Sequence, residues 1–264
     1  MSIGLYIAQF TDPYERKARL LPGLLVVAPT VVALATQFGA KNAVLGAAVG
    51  IVGSCGGVYG LASIVRAKGK ELEERLVAKW GGMPTTLALR HRNSFLDNVS
   101  KQRYHELITR KLGISMPTAS EEAADPAKAD DTYIGATKRL RELTRGDRGL
   151  LFKENISYGF HRNLLAMKPT GILLCLLASI YGLIEAGVIH GHSPYVIPER
   201  LGKLNISAGI TLLVSFAFLA TWILYVTSSS VRRIGFAYAE RLFERLASLK
   251  APQRSRREDK VQAE

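Results

Sequence analysis

Four apolar runs, at 20–38, 43–65, 171–189 and 206–227, constrain this chain more than any other feature, and Glu185 is the one formal charge inside them. Each approaches the ~20 residues that an α-helix needs to cross ~30 Å of hydrocarbon. A helix at a water-soluble surface keeps one polar face, whereas these runs are apolar all round, as lipid requires. The reading is an all-α membrane protein in which two transmembrane helical hairpins flank a helical cytoplasmic section. Its parts are a cytoplasmic N-terminus at 1–19, a first hairpin at 20–66, a cytoplasmic helical section at 67–169, a second hairpin at 170–228, and a cytoplasmic C-terminal helix with a disordered tail at 229–264.

Charge placement gives the orientation. The chain carries 35 Lys and Arg residues and a net charge of +13. Only Lys41, Arg200 and Lys203 fall in the two short inter-helix connections, which leaves 32 of the 35 on the opposite side. The positive-inside rule makes that side cytoplasmic, with both termini there, and the expected location is a bacterial inner membrane. Basic clusters such as Arg16, Lys17 and Arg19, or Arg66, Lys68 and Lys70, stand where spans leave the bilayer and meet anionic headgroups. Acidic residues interleave with the basic ones in the middle section and no base-stacking motif accompanies them, so nucleic acid is not an expected partner. Cys55 and Cys175 each fall inside a predicted span at mismatched depths, which argues against a disulfide.

Local signals divide the cytoplasmic section. The second span is expected to run on as a helix to Lys79, where Trp80, Gly81, Gly82, Met83 and Pro84 stop it. A helix follows from about Asp97 to Leu112, ended by Gly113, and Thr118 with Glu121 has capping-box spacing. Another starts at Asp125 and Pro126 and ends by Gly146; the next, Leu150 to Met167, feeds the third span. After the fourth span the chain is expected to stay helical to about Lys250. No strand pattern of useful length interrupts this, which excludes an α/β enzyme core.

Three features are candidates for function. Gly46, Gly50, Gly53, Gly57 and Gly60 recur at intervals of four, three, four and three, a small-residue seam suited to close helix packing, either within the chain or between copies in a homo-oligomer. Arg90, Arg92, Asn155, Tyr158 and Arg162 form a candidate face for an anionic ligand or for docking against the helices from Trp80 to Leu112, with a structural network as the competing reading; a cytoplasmic protein partner or a small anionic signal is the expected input. Glu185 is the intramembrane charge, read as lying near the outer interface of its span. No catalytic residues, metal site or cofactor are expected: His91, His105 and His161 lack metal-ligand spacing, and no phosphate loop, HExxH or GxSxG occurs.

The order of elements, together with the runs Trp80 to Thr86 and Glu154 to Asn163, resembles the small multi-span membrane effectors found beside bacterial nucleotide-signalling defence systems. That resemblance implies that a cytoplasmic signal or partner alters the packing of the spans and so remodels or breaches the membrane. The expected function is therefore a membrane-embedded effector or sensor, with a scaffold or assembly protein, a small channel or transporter, and a membrane enzyme as rivals.

Overall fold

The breakers and caps read from the sequence fall where the helices end. A computed structural model describes residues 12–38 and 56–249. A π-helical turn, Glu15–Leu20, leads into α1 (Leu21–Phe38). Eight further α-helices follow: α2 (Gly56–Trp80), α3 (Pro84–Leu89), α4 (Asn98–Leu112), α5 (Ala119–Ala124), α6 (Pro126–Leu143), α7 (Leu150–Glu185), α8 (Ile206–Leu224) and α9 (Ser228–Glu244). Among the described residues there are no strands, only an isolated bridge between Ile189 and Val196.

The local chemistry accounts for the boundaries. Helix α2 stops at Trp80 because Gly81 and Gly82 take φ of 77° and 149°, which a side chain would resist. Pro84 sits at the first position of α3, where its missing N–H costs nothing. Asp97 caps α4 by accepting from the Ser100 N–H, and Gly113 closes that helix at φ 69°. Thr118 and Glu121 form a reciprocal capping box on α5, and Asp125 caps α6.

Three helical segments are long and apolar enough to cross a membrane: Glu15–Gln37, Leu150–Glu185 and Ile206–Leu224. Only 28–33 % of their most apolar windows is buried by the chain itself. Leu173, Leu177 and Ile184 on α7, and Leu213, Phe216 and Leu224 on α8, stay exposed. So much contiguous apolar surface suits lipid rather than water, which points to a membrane location. The expected second span lies outside the described residues as far as residue 55, as do Gly46, Gly50, Gly53, Cys55 and the expected disordered tail from Pro252.

Two expectations need correcting. The helix carrying the third apolar run ends at Glu185 rather than Ile189, because the chain turns there through Gly187 at φ 67°. The segment from Leu150 feeds that run as expected, the two forming one continuous helix of 36 residues with Pro169 inside it. The helix of the fourth apolar run and the C-terminal helix are separate: α8 stops at Leu224 and α9 begins at Ser228, where Thr227 Oγ1 accepts from the Ser230 N–H.

The described residues belong to two compact units, Met1–Leu76 with Ile156–Val231, and Val77–Asn155 with Arg232–Glu264. The first holds the apolar helices. Val26, Val65, Met167, Cys175, Trp222 and Val226 make its core. Glycine permits close helix approach here: a Cβ on Gly171 would lie 2.4 Å from Trp222 Cε2, and one on Gly182 would press on Leu212 and Thr211. Thr36 and Thr211 join α1 to α8 through hydroxyls 3.2 Å apart. The second unit has a conventional apolar core, with Leu89, Ile108, Tyr133, Leu140, Leu242 and Phe243 completely or almost completely buried.

Candidate functional site

The second unit is built around a carboxylate. Glu122, only 3 % exposed, accepts from the Tyr133 hydroxyl at 2.6 Å, the His91 N–H at 2.7 Å, the Arg92 N–H at 3.2 Å and Arg92 Nη1 at 2.8 Å. Burial pushes its carboxyl upward, but these donors and the Arg92 charge outweigh burial and hold it below the usual range. Burial and the bond to Glu122 push the Tyr133 hydroxyl well above its ordinary value, so it remains a donor. Asp130 takes a bidentate pair of bonds from Arg90 Nε and Nη2, at 2.7 and 2.6 Å, and a longer pair from Arg92.

Beside this network lies a cleft of about 610 Å³ lined by His91, Asn98, Lys101, Gln102, His105, Glu106, Thr109, Arg110, Met116, Pro117 and Thr118. The inner stripe of α4 supplies two of these groups where apolar residues would be the default, because Lys101 and His105 are buried alongside Tyr104 and Ile108. Lys101 Nζ donates to the carbonyls of His91, at 3.1 Å, and Asn93, at 2.6 Å, and so fastens the loop between α3 and α4. Burial lowers its ammonium, with Glu122 and Asp97 pulling the other way. His91 Nε2 faces the Pro117 carbonyl at 2.9 Å, and His105 Nε2 the Leu89 carbonyl at 2.8 Å. Carbonyls only accept, so both rings carry a hydrogen on Nε2, which leaves Nδ1 of each as the atom turned to other partners. The rings meet edge to face, 4.8 Å between centroids.

Charge in the cleft is unbalanced towards positive. Lys101 and Arg110 face a single lining carboxylate, Glu106, which accepts from Gln102. Arg110 makes no ion pair among the described residues. Such a cleft can bind a small molecule that brings an anionic group for the two cations and a hydrogen-bond donor for an imidazole Nδ1.

His105 also makes this unit acid-sensitive. Burial lowers its imidazole below the ordinary 6.5, as do His91 and Lys101, against the hydrogen bond to Leu89 and the Glu122 charge. The unfolded chain therefore takes up the proton first as pH falls. Stability is complete above about pH 6.5 and declines through the folded value, with a second loss from Glu122 below its ordinary 4.5. Unfolding of full-length protein in detergent, followed by Trp80 fluorescence in a Trp222→Phe background, should show a midpoint that falls from pH 7.5 to 5.5. His105→Gln should flatten that slope, and a midpoint that rises on acidification contradicts the assignment.

The first unit has its own polar cluster. Asn163, fully buried, donates from Nδ2 to the Ala18 carbonyl of the π-helical turn at 2.6 Å. Its Oδ1 accepts from Arg162 Nε and Nη2 at 3.2 and 3.1 Å. Arg162 Nη1 reaches Glu73 at 2.9 Å, and the guanidinium lies 6.0 Å above the Tyr158 ring. Gly69 and Gly159 make room: a Cβ would stand 1.8 Å from Asn163 Oδ1 at the first and 2.8 Å from the Tyr14 hydroxyl at the second.

The residues expected to form a face for an anionic ligand or for docking fall in both units. Arg90, Arg92 and Asn155 belong to the second unit, Tyr158 and Arg162 to the first. Arg90, Arg92 and Arg162 all hold carboxylates of the chain itself. Gly57 is exposed, and a Cβ on Gly60 would meet none of the described residues within 4 Å. Glu185 closes α7, half buried, and its Oε2 has no hydrogen-bond partner among the described residues. Among the described residues, no three His, Cys, Asp or Glu side chains are grouped to hold a metal ion. Sequence reasoning missed Lys101, His105, Glu122 and Asn163 as organising residues. The one signal for the first two was their i, i+4 spacing on the stripe that Tyr104 and Ile108 mark as buried. No family model, curated protein or solved structure matches the chain.

Proposed function

We propose that this chain is a multi-pass effector or sensor of the bacterial inner membrane, whose second unit receives a small anionic signal and whose apolar helices answer it with a change in packing or permeability. The single observation that carries the reading is the cleft of His91, Lys101, His105 and Arg110, a cationic recess on a helical unit with its own core. In this reading the second apolar run, 43–65, is also a span. Two hairpins then flank a cytoplasmic helical section, and both termini are cytoplasmic, as the distribution of Lys and Arg supports. The seam from Gly46 to Gly60 joins copies into a homo-oligomer; the openness of Gly57 and Gly60 leaves that face available. A ligand shifts the spans only as far as it binds one packing better than the other.

The test is binding to full-length protein in mild detergent. Against a panel of linear and cyclic nucleotides and inorganic phosphate, at least one nucleotide should raise the thermal midpoint, by several degrees at saturation. Arg110→Ala should weaken that ligand about ten-fold, as expected for one charge-assisted contact. The same ligand should change ion flux through proteoliposomes. If no member of the panel shifts the midpoint, or the ligand that does leaves flux unchanged, the reading fails.

A further inference from the structure

A second cavity, in the first unit, lies between the π-helical turn and α2. It encloses about 60 Å³ and is lined by Glu15, Arg16, Arg19, Leu20, Tyr59, Ala62, Ser63 and Arg66. That exceeds the ~10–15 Å³ needed to hold one water and is commensurate with a single tetrahedral oxyanion. Three guanidinium groups face one carboxylate, and that carboxylate, Glu15, is already paired with Arg19 Nη1. Arg19 has a side chain only 16 % exposed, yet its Nε is buried with no hydrogen-bond acceptor among the described residues. Arg66 makes no hydrogen bond or ion pair among the described residues, and its charge, like that of Arg162, opposes the charge on Arg19. A half-buried cation beside a like charge, with an unmet donor, is costly unless an anion completes the site.

Position identifies the anion's source. Arg19 immediately precedes the apolar run of α1, and Arg66 immediately follows Val65, the last residue of another apolar run. The cavity therefore opens where chain leaves hydrocarbon, and Leu20, Ala62 and the Tyr59 ring give it an apolar wall beside the cationic one. A free oxyanion uses only the cations. A lipid phosphate uses both, with its glycerol and acyl carbons along the wall. We infer that this cavity is a binding site for the phosphate of one anionic glycerophospholipid, held by Arg19 and Arg66.

The inference does not depend on what the second unit binds. Full-length protein should be stripped of lipid in mild detergent and titrated separately with phosphatidylglycerol, phosphatidylcholine and inorganic phosphate, with native mass spectrometry and thermal midpoint as readouts. Retention of one phosphatidylglycerol per chain with a raised midpoint is expected, and little from the other two. Arg66 is exposed and has no partner to lose, so Arg66→Gln should fold normally and retain about ten-fold less phosphatidylglycerol, while Arg139→Gln retains the wild-type amount. Equal retention by Arg66→Gln overturns the site. Equal binding of phosphatidylcholine overturns the requirement for an anion, and inorganic phosphate as effective as phosphatidylglycerol overturns the lipid source.

Discussion

Glu122→Ala should remove most of the stability of the second unit, about 3–5 kcal/mol, the loss typical when one partner of a buried charged network is deleted. The substitution withdraws the acceptor from four donors at once, among them the hydroxyl of the completely buried Tyr133 and the N–H groups of His91 and Arg92. A small domain has only about 5–15 kcal/mol in total, so this unit would stand near its threshold. Glu122→Gln keeps the shape but turns one acceptor into a donor facing other donors, and should cost roughly half as much. Each of the two tryptophans belongs to a different unit, Trp80 to the second and Trp222 to the first, so Trp80 fluorescence in a Trp222→Phe background reports this unfolding selectively. A loss below about 1 kcal/mol for Glu122→Ala would mean that the carboxylate is incidental to the fold.

The first unit should be equally intolerant at Gly69. Adding one methyl places it 1.8 Å from Asn163 Oδ1 and 2.9 Å from Cγ, so Asn163 must move. It has nowhere to go, because the side chain is completely buried and links Arg162 to the Ala18 carbonyl. Overpacking costs about 1–3 kcal/mol, and stranding the buried amide adds about 1–3 kcal/mol. Gly69→Ala should therefore lower stability by roughly 3 kcal/mol, read from Trp222 fluorescence during denaturation in mixed micelles. The double variant Gly69→Ala with Asn163→Ala removes the obstruction and should be clearly more stable than the sum of the two single effects predicts. Simple additivity would show that the two residues do not meet.

Much of the helical architecture was legible because it is encoded locally. A capping oxygen reaches a donor two or three residues away, as at Asp97, Thr118 and Asp125. Glycine at positive φ ends a helix wherever it occurs, as at Gly81 and Gly113. The expected continuation of the fourth span failed on equally local grounds, since the break at 225–227 offers no Pro or Gly to announce it. The partners of the arginines were not legible for a different reason. Asp130 and Glu122, which pair with Arg90 and Arg92, lie 30–40 residues away, and no periodicity records that pairing.

The sequence by itself determined that the chain is helical and that long parts of it belong in lipid, because helix length, capping and the exclusion of charge from hydrocarbon depend on residues near one another. It also placed Arg19 and Arg66 beside apolar runs. Only the tertiary structure decided which charges are spent inside the chain and which remain for a ligand. Glu122 gathers donors from two other segments, Asn163 needs a glycine on another helix, and the cleft of Lys101 and His105 exists only once the loop after α3, α4 and the loop before α5 have converged. Desolvation and pairing over such distances set the energy of a buried polar group, and they arise only when the helices pack.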